Sequence, residues 1–186
     1  ETRRSTRKSL QNSRKSWAGI RREGEVMRHK TSIIILSYNT LELLQLCVNS
    51  IREYTEVGTY EIIVVENASK DGSAEWLREQ MDLRCIYNEE NRGFPGGCNQ
   101  GLTAATGRDL LLLNSDTVVT KDWLKNLRLA LYSSARVGAV SCVTNYCSNS
   151  QQIEVPYERL EDMQAFAAHH NVPNPALWRK RTTLVG

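Results

Sequence analysis

No apolar run in this chain exceeds about four residues, where roughly 18 or more are needed to cross a bilayer, so a transmembrane helix is excluded. No signal-peptide h-region follows the basic N-terminus either, and a soluble chain is expected. The five cysteines, Cys47, Cys85, Cys98, Cys142 and Cys147, form no CxxC pair and have no His at metal-ligand spacing. That argues against a disulfide framework and a zinc site, and it fits reduced thiols in a cytosolic protein. GxGxxG, the GKS/T of a phosphate-binding loop and GxSxG are missing as well, so dinucleotide, triphosphatase and hydrolase readings lack their motifs. What is present suffices for one globular domain: 186 residues, 40% of them hydrophobic and 24% charged.

The net charge of +3 hides an asymmetry. Residues 1–30 hold 10 Lys/Arg against 3 Asp/Glu, whereas residues 31–186 hold 14 against 18. The first stretch has only Leu10, Trp17, Ile20 and Met27 as large apolar positions, too few to offset the ordering entropy of an independent domain. It is expected to be a basic arm or linker, with residues 31–186 as the folded domain. Nucleic acid or an anionic membrane could attract such an arm, although nucleic acid is not expected as the partner. The chain opens on Glu1 and closes on Thr182-Thr183-Leu184-Val185-Gly186, which reads as a strand just beginning, the pattern of a piece cut from a longer protein.

From Thr31 onward, short apolar runs alternate with helix-period segments, the mark of βαβ units and a mainly parallel sheet. Ser32–Leu36, Tyr60–Val65, Arg84–Tyr87, Leu110–Leu113 and Val137–Val143 read as five strands. Residues 41–54, with Thr40 as the expected cap, 73–81, with Trp76, Leu77 and Met81 on one face, and 121–133 read as helices. Asn91 to Gly101 reads as a glycine-dense turn leading into a helix that ends near Gly107, and Met163, Phe166 and Ala167 mark a short helix in the remainder.

Ligands of an open parallel sheet bind beyond the carboxyl ends of its strands, so the polar residues there are the first suspects. Strand one ends in Ser37-Tyr38-Asn39 and strand two in Glu66-Asn67-Ala68-Ser69-Lys70-Asp71-Gly72-Ser73. Strand three leads to Asn88 and the glycine-rich turn, and strand four ends in Asn114-Ser115-Asp116. An acid at such an end can accept hydrogen bonds from a base or ribose, and a second can face a hard divalent cation. Asp71-Gly72 is assigned to turn chemistry before a helix, and Asn67 and Ser69 to local Asx or Ser turns. His169-His170 is read as a solvated pair, and Glu154, Glu158, Glu161 and Asp162 as a solvated helix face.

In this order, Ser32-Ile-Ile-Ile-Leu-Ser-Tyr-Asn39, Glu61 to Ser73, Asn91-Arg-Gly-Phe94 with Asn99-Gln-Gly101, and Leu111-Leu-Leu-Asn-Ser-Asp116 resemble the successive motifs of the family 2 glycosyltransferases. The likeness covers roughly residues 31–143. It implies an α/β fold, the Rossmann-like GT-A sandwich with a mainly parallel central sheet flanked by helices, and a nucleoside diphosphate sugar as donor. It places Ser37, Asn39, Glu66, Arg92, Gly93, Asn99 and Asn114 around the donor nucleotide. Asp116 matches the last acid of the DxD-type metal motif, facing Mg2+ or Mn2+. The family usually has Asp where Glu66 stands, and the first acid of the metal motif is Asn114 here, so diphosphate and water must complete the cation's shell.

The mechanism so implied is inverting: a carboxylate takes the proton of the acceptor hydroxyl while the metal neutralises the leaving diphosphate. The family's base lies in an acidic motif downstream, expected beyond Gly186, so these residues are expected to bind donor and to transfer it poorly or not at all. The acceptor is a glycan, a lipid-linked sugar or a protein. A cytoplasmic location is expected, with the inner face of the membrane as a peripheral station. Two alternatives stand beside this reading. One is a sugar-1-phosphate nucleotidyltransferase, which would need a glycine- and arginine-bearing loop where Ser37-Tyr38-Asn39 stands. The other is a non-catalytic module acting through the basic arm.

Overall fold

The computed structural model describes residues 29–184; nearly all of the basic arm expected at 1–30 lies outside the described residues. Four strands, β1 (Thr31–Ser37), β2 (Tyr60–Glu66), β3 (Leu83–Tyr87) and β4 (Asp109–Asn114), form one parallel sheet in the order β3-β2-β1-β4. Helices α1 (Leu41–Tyr54), α2 (Ser73–Arg78), α3 (Gly93–Ala104), α4 (Trp123–Leu131) and α5 (Leu160–His170) connect and follow them.

The β-branched triplet of β1 is buried on both faces because each face has a helical partner. Ile33 and Ile35, with Ile62 and Val64 of β2, pack against Leu44, Cys47, Val48 and Ile51 of α1 and Leu77 of α2. Ile34 and Leu36 point the other way, onto α3. There the glycines matter: a Cβ on Gly97 would sit 2.2 Å from Leu36 Cδ1, and one on Gly101 2.3 Å from Ile34 Cγ2. The glycine-dense stretch is therefore helix from Gly93 onward, not a turn before one, and its glycines let the helix backbone settle onto β1.

Several other expectations change. Residues 137–143 form no strand: Ser141 Oγ and Cys142 O accept from the Gln151 side-chain amide, and the isolated bridge nearby joins Thr144 to Gln152. A Gly-Ala-Ser-containing run with Val143 half exposed buries too little to hold a ladder alone. Helix α2 stops at Arg78 because the N–H groups of Glu79 and Gln80 turn back to Trp76 O and Leu77 O, leaving Met81 almost wholly exposed. Strand β4 alternates: Leu111 and Leu113 pack on the core, while Leu110 and Leu112 face outward, since α3 lies over β1 and β2. In α5 only Ala167 is buried; Phe166 stands between the rings of Tyr157 and His170.

Thr40 does not cap α1 with its side chain. Asp71 does so from across the sheet end, its Oδ2 accepting from Leu41 N at 2.8 Å, while its Oδ1 accepts from Ser73 N and Oγ at the start of α2. Burial works against this carboxylate's charge, but the Ser73 hydroxyl and the two backbone amides prevail and hold its pKa below the usual range. One side chain thus fixes the first turns of two helices.

Candidate functional site

The parallel register sets the site. Ser37 lies opposite Glu66, Glu66 opposite Tyr87, and Leu36 opposite Asn114, so all four strands end at one level. Strand β1 leads through α1 to β2 on one side, whereas β4 arrives on its other side by way of α3. Between β1 and β4 the winding reverses, and such a reversal opens a crevice beyond the strand ends. Asp116, Asn114 and the loop after Ser37 stand at that point. The Thr40 hydroxyl, freed from capping, bonds Ser115 Oγ at 3.1 Å and lies 3.4 Å from Ser37 Oγ, tying the two strand ends together.

Ser37 is fully buried and Glu66 nearly so. The Glu66 carboxylate accepts from Ser69 N at 2.7 Å and Ala68 N at 3.1 Å, so the longer side chain curls into its own loop. Asn39 adopts a left-handed φ of 53°, which Asn tolerates better than most residues. Its Oδ1 accepts from Lys70 N and its own N–H donates to Ser69 Oγ, lacing the β1 and β2 loops together. Asn114 and Asp116 are exposed. Asp116 carries its charge close to Cys47: burial first, and then that charge, push the thiol up to about 12. Cys47 is therefore a core residue and no nucleophile.

Asn67 is where the sequence reading needs correcting most. It makes no local turn. Its amide, 1% exposed, donates to Asn91 Oδ1 at 2.7 Å and accepts from Asn88 Nδ2 and Arg92 N, both at 3.0 Å. Asn88 in turn exchanges both amide bonds with Gln100 of α3. This network fastens the β2 loop to the start of α3, which fixes where Arg92 and Gly93 stand; Gly93 has a φ of 69° and donates its N–H to Asn91 Oδ1. The signal available in the sequence was the recurrence of amides just past two successive strands. Ile86, Tyr87, Asn88, Glu89, Glu90, Arg92 and Gln100 line an adjoining hollow of about 670 Å3. Asn99 lies exposed on α3, its carbonyl holding the Thr103 hydroxyl.

Among the described residues no three His, Cys, Asp or Glu side chains gather into a metal site. A cation here would rest on Asp116 and on oxygens brought by a ligand, a donor set that suits Mg2+ or Mn2+ and not zinc. Glu154, Glu158, Glu161 and Asp162 are exposed, and Asp162 is paired with Arg159.

Fold and site together define an α/β domain that receives its ligand at the switch point of a parallel sheet. The chain belongs to glycosyl transferase family 2, whose family model matches residues 32–183, and its fold is the Rossmann-like GT-A fold. It is 36% identical over 96 residues to the uncharacterized glycosyltransferase YfnE of Bacillus subtilis, a match that covers 50% of this chain and 24% of YfnE. It is 31% identical over 99 residues to glycosyltransferase AglE of Haloferax volcanii, covering 50% of this chain and 33% of AglE. The solved mannosyltransferase PcManGT from Pyrobaculum calidifontis, in complex with GDP-Man and Mn2+, has a TM-score of 0.56 and 29% identity over 62% of this chain and 35% of its own. TarS of S. aureus in complex with UDP-GlcNAc gives 0.50 and 27% over 56% of this chain and 31% of its own. The chain spans about a quarter to a third of these relatives. Family membership disfavours the nucleotidyltransferase alternative.

Proposed function

We propose that this domain binds a nucleoside diphosphate sugar in the crevice between β1 and β4 and serves a glycosyltransferase that passes the sugar, with inversion, to an acceptor hydroxyl. The observation that carries this reading is the coincidence of Asp116 with the switch point of a family 2 sheet. Ser37 and Asn39 form the wall under the nucleotide, and Asn114 and Asp116 face the diphosphate. Glu66 shapes the loop against which base or ribose rests. The Asn67 network holds Arg92 and Gly93 at the start of α3, where the exposed Arg92 side chain suits an anionic ligand. A divalent cation at Asp116 would neutralise charge developing on the leaving diphosphate. PcManGT, which binds GDP-Man with Mn2+, and TarS, which binds UDP-GlcNAc, support a metal-assisted donor site of this kind.

Calorimetric titration of UDP-, GDP- and dTDP-sugars, with and without Mn2+, tests the reading. One donor is expected to bind only with the metal, and Asp116→Ala is expected to weaken it by about 100-fold, the worth of a charge-assisted contact. Binding that ignores both Mn2+ and Asp116 sinks the proposal. The acids of the described C-terminal stretch are solvated, so slow transfer or none is expected of these 186 residues.

A further inference from the structure

The last described stretch has a character unlike the rest. Between Met163 and Leu184 there is no Asp or Glu, while Arg179, Lys180 and Arg181 follow one another. Every residue from 172 to 184 is exposed, including Val172 at 62%, Leu177 at 59%, Trp178 at 38% and Leu184 at 42%. Single exposed apolar residues need no explanation, but here four of them share one acid-free segment with three cations.

This segment has local order. Asn174 Oδ1 accepts from Ala176 N to cap the short turn Pro175–Leu177, and Arg179 Nη1 bonds the backbone carbonyls of Ala176 at 2.7 Å and Trp178 at 3.0 Å. Its root is fixed too: Asn171 Nδ2 bonds Thr120 Oγ1 and Lys121 O, and Asn171 O accepts from Asn126. Thr120 and Lys121 lie between Val119, whose N–H bonds Ser50 Oγ late in α1, and Trp123, whose indole bonds Thr55 Oγ1 just past its end, so the segment is rooted toward the amino end of the sheet.

We propose that residues 172–184 dock this domain on an anionic lipid bilayer. Indole rings prefer the headgroup level, aliphatic side chains the acyl boundary, and arginine and lysine the lipid phosphates; Trp178, then Val172, Leu177 and Leu184, then Arg179, Lys180 and Arg181 supply each in turn. A nucleic acid would use the cations and the indole but leave the three aliphatic side chains in water, which is why a bilayer fits better. The inference does not rest on the donor reading, because no sugar nucleotide enters its test.

Sedimentation of the 186-residue chain with phosphatidylglycerol–phosphatidylcholine vesicles, against phosphatidylcholine alone, is the experiment. Binding to the anionic vesicles that falls with salt is expected. With residues 1–28 untouched, the triple variant Arg179→Ala, Lys180→Ala, Arg181→Ala is expected to lower partitioning roughly 100-fold, and Trp178→Ser about tenfold. Brominated lipid should quench tryptophan emission less in Trp178→Phe. All these side chains are exposed, so a melting curve should confirm that the variants fold. Partitioning unchanged in the triple variant would assign any membrane binding to residues 1–28 and overturn the proposal. So would single-stranded RNA that competes fully with vesicles and shows the same dependence on Trp178 and the three cations.

Discussion

The two ends of the sheet use the same kinds of residue for opposite purposes. At the amino end, Glu61 Oε1 accepts from Ser32 Oγ at 2.5 Å, from Thr106 N and Oγ1 at 2.8 and 2.7 Å, and from Gly107 N at 3.1 Å, with Lys30 nearby. Asp109, at the start of β4, is buried against Arg128 of α4 and takes the Tyr132 hydroxyl. Here charges are consumed by the fold. At the carboxyl end the acids and amides are either turned back to shape loops, as Glu66 and Asn39 are, or left exposed, as Asn114 and Asp116 are. Carboxylates at the closed end therefore report on stability, and the exposed Asp116 at the open end on binding.

The sharpest way to break the contrast is Arg128→Met. Arg128 is 2% exposed and Asp109 8%, and removing one partner of a buried pair typically costs about 3 to 5 kcal/mol because the other is left charged without compensation. Urea unfolding should show that loss, while donor affinity per folded molecule stays as it was. Adding Asp109→Leu should recover much of it, since an apolar pair avoids the stranded charge.

Glu61 gives the next effect, and it depends on pH. Burial raises the pKa of this carboxyl, but its hydrogen bonds from Ser32 and Thr106, with Lys30 behind them, outweigh that and hold it at about 2, against an ordinary 4.5. A depressed carboxyl stabilises the fold fully above about pH 4.5 and loses that contribution as the pH falls toward 2. The difference amounts to roughly 2 to 3 kcal/mol. Glu61→Gln should be less stable at neutral pH by about that much, and its acid-unfolding curve should be flatter through that window.

How much of this could be read from the residues follows the same division. The runs of Ile, Val and Leu announced β1, β2 and β4, though burial on both faces explains that composition only in β1 and β2, and Asp116 stood out for following one of them. The tertiary choices were hidden. Nothing in the glycines of 93–101 distinguishes a phosphate loop from a helix pressed on Leu36 and Ile34; only the lack of room for a Cβ at Gly97 and Gly101 decides. Thr40 and Asp71 both look like caps, and which one serves α1 depends on how the two loops meet. Asn67 is legible as polar but not as a hub, since its partners come from residues more than twenty positions away. The fifth strand failed because a run containing Gly138, Ala139 and Ser141 has little apolar side chain to bury against the sheet, even though β4 ends the sheet as an edge strand.

Thr40→Val tests the seam between the two loops at the open end. The lost bond joins the half-buried Thr40 to the buried Ser115 between two strand ends, so about 1 kcal/mol of stability is expected to go. Donor affinity should fall as well, because Ser115 sits between Asn114 and Asp116. A fall in stability with donor affinity intact would show the seam to be structural only.

Asp116→Asn should have the smallest effect on folding and still separate the two ends. Asp116 is exposed and its main influence inside the protein is unfavourable to a thiolate at Cys47, a group that burial already keeps protonated. Removing its charge therefore takes nothing from the core, and a change within about 0.5 kcal/mol is expected, as for surface substitutions generally. If Asp116→Asn lowered the melting temperature as far as Arg128→Met does, the open end would be holding the fold together, and the division between an end that stabilises and an end that binds would fail. An unchanged melting curve with Mn2+-dependent donor binding lost would place the cost of that exposed acid where the fold predicts it, in function and not in stability.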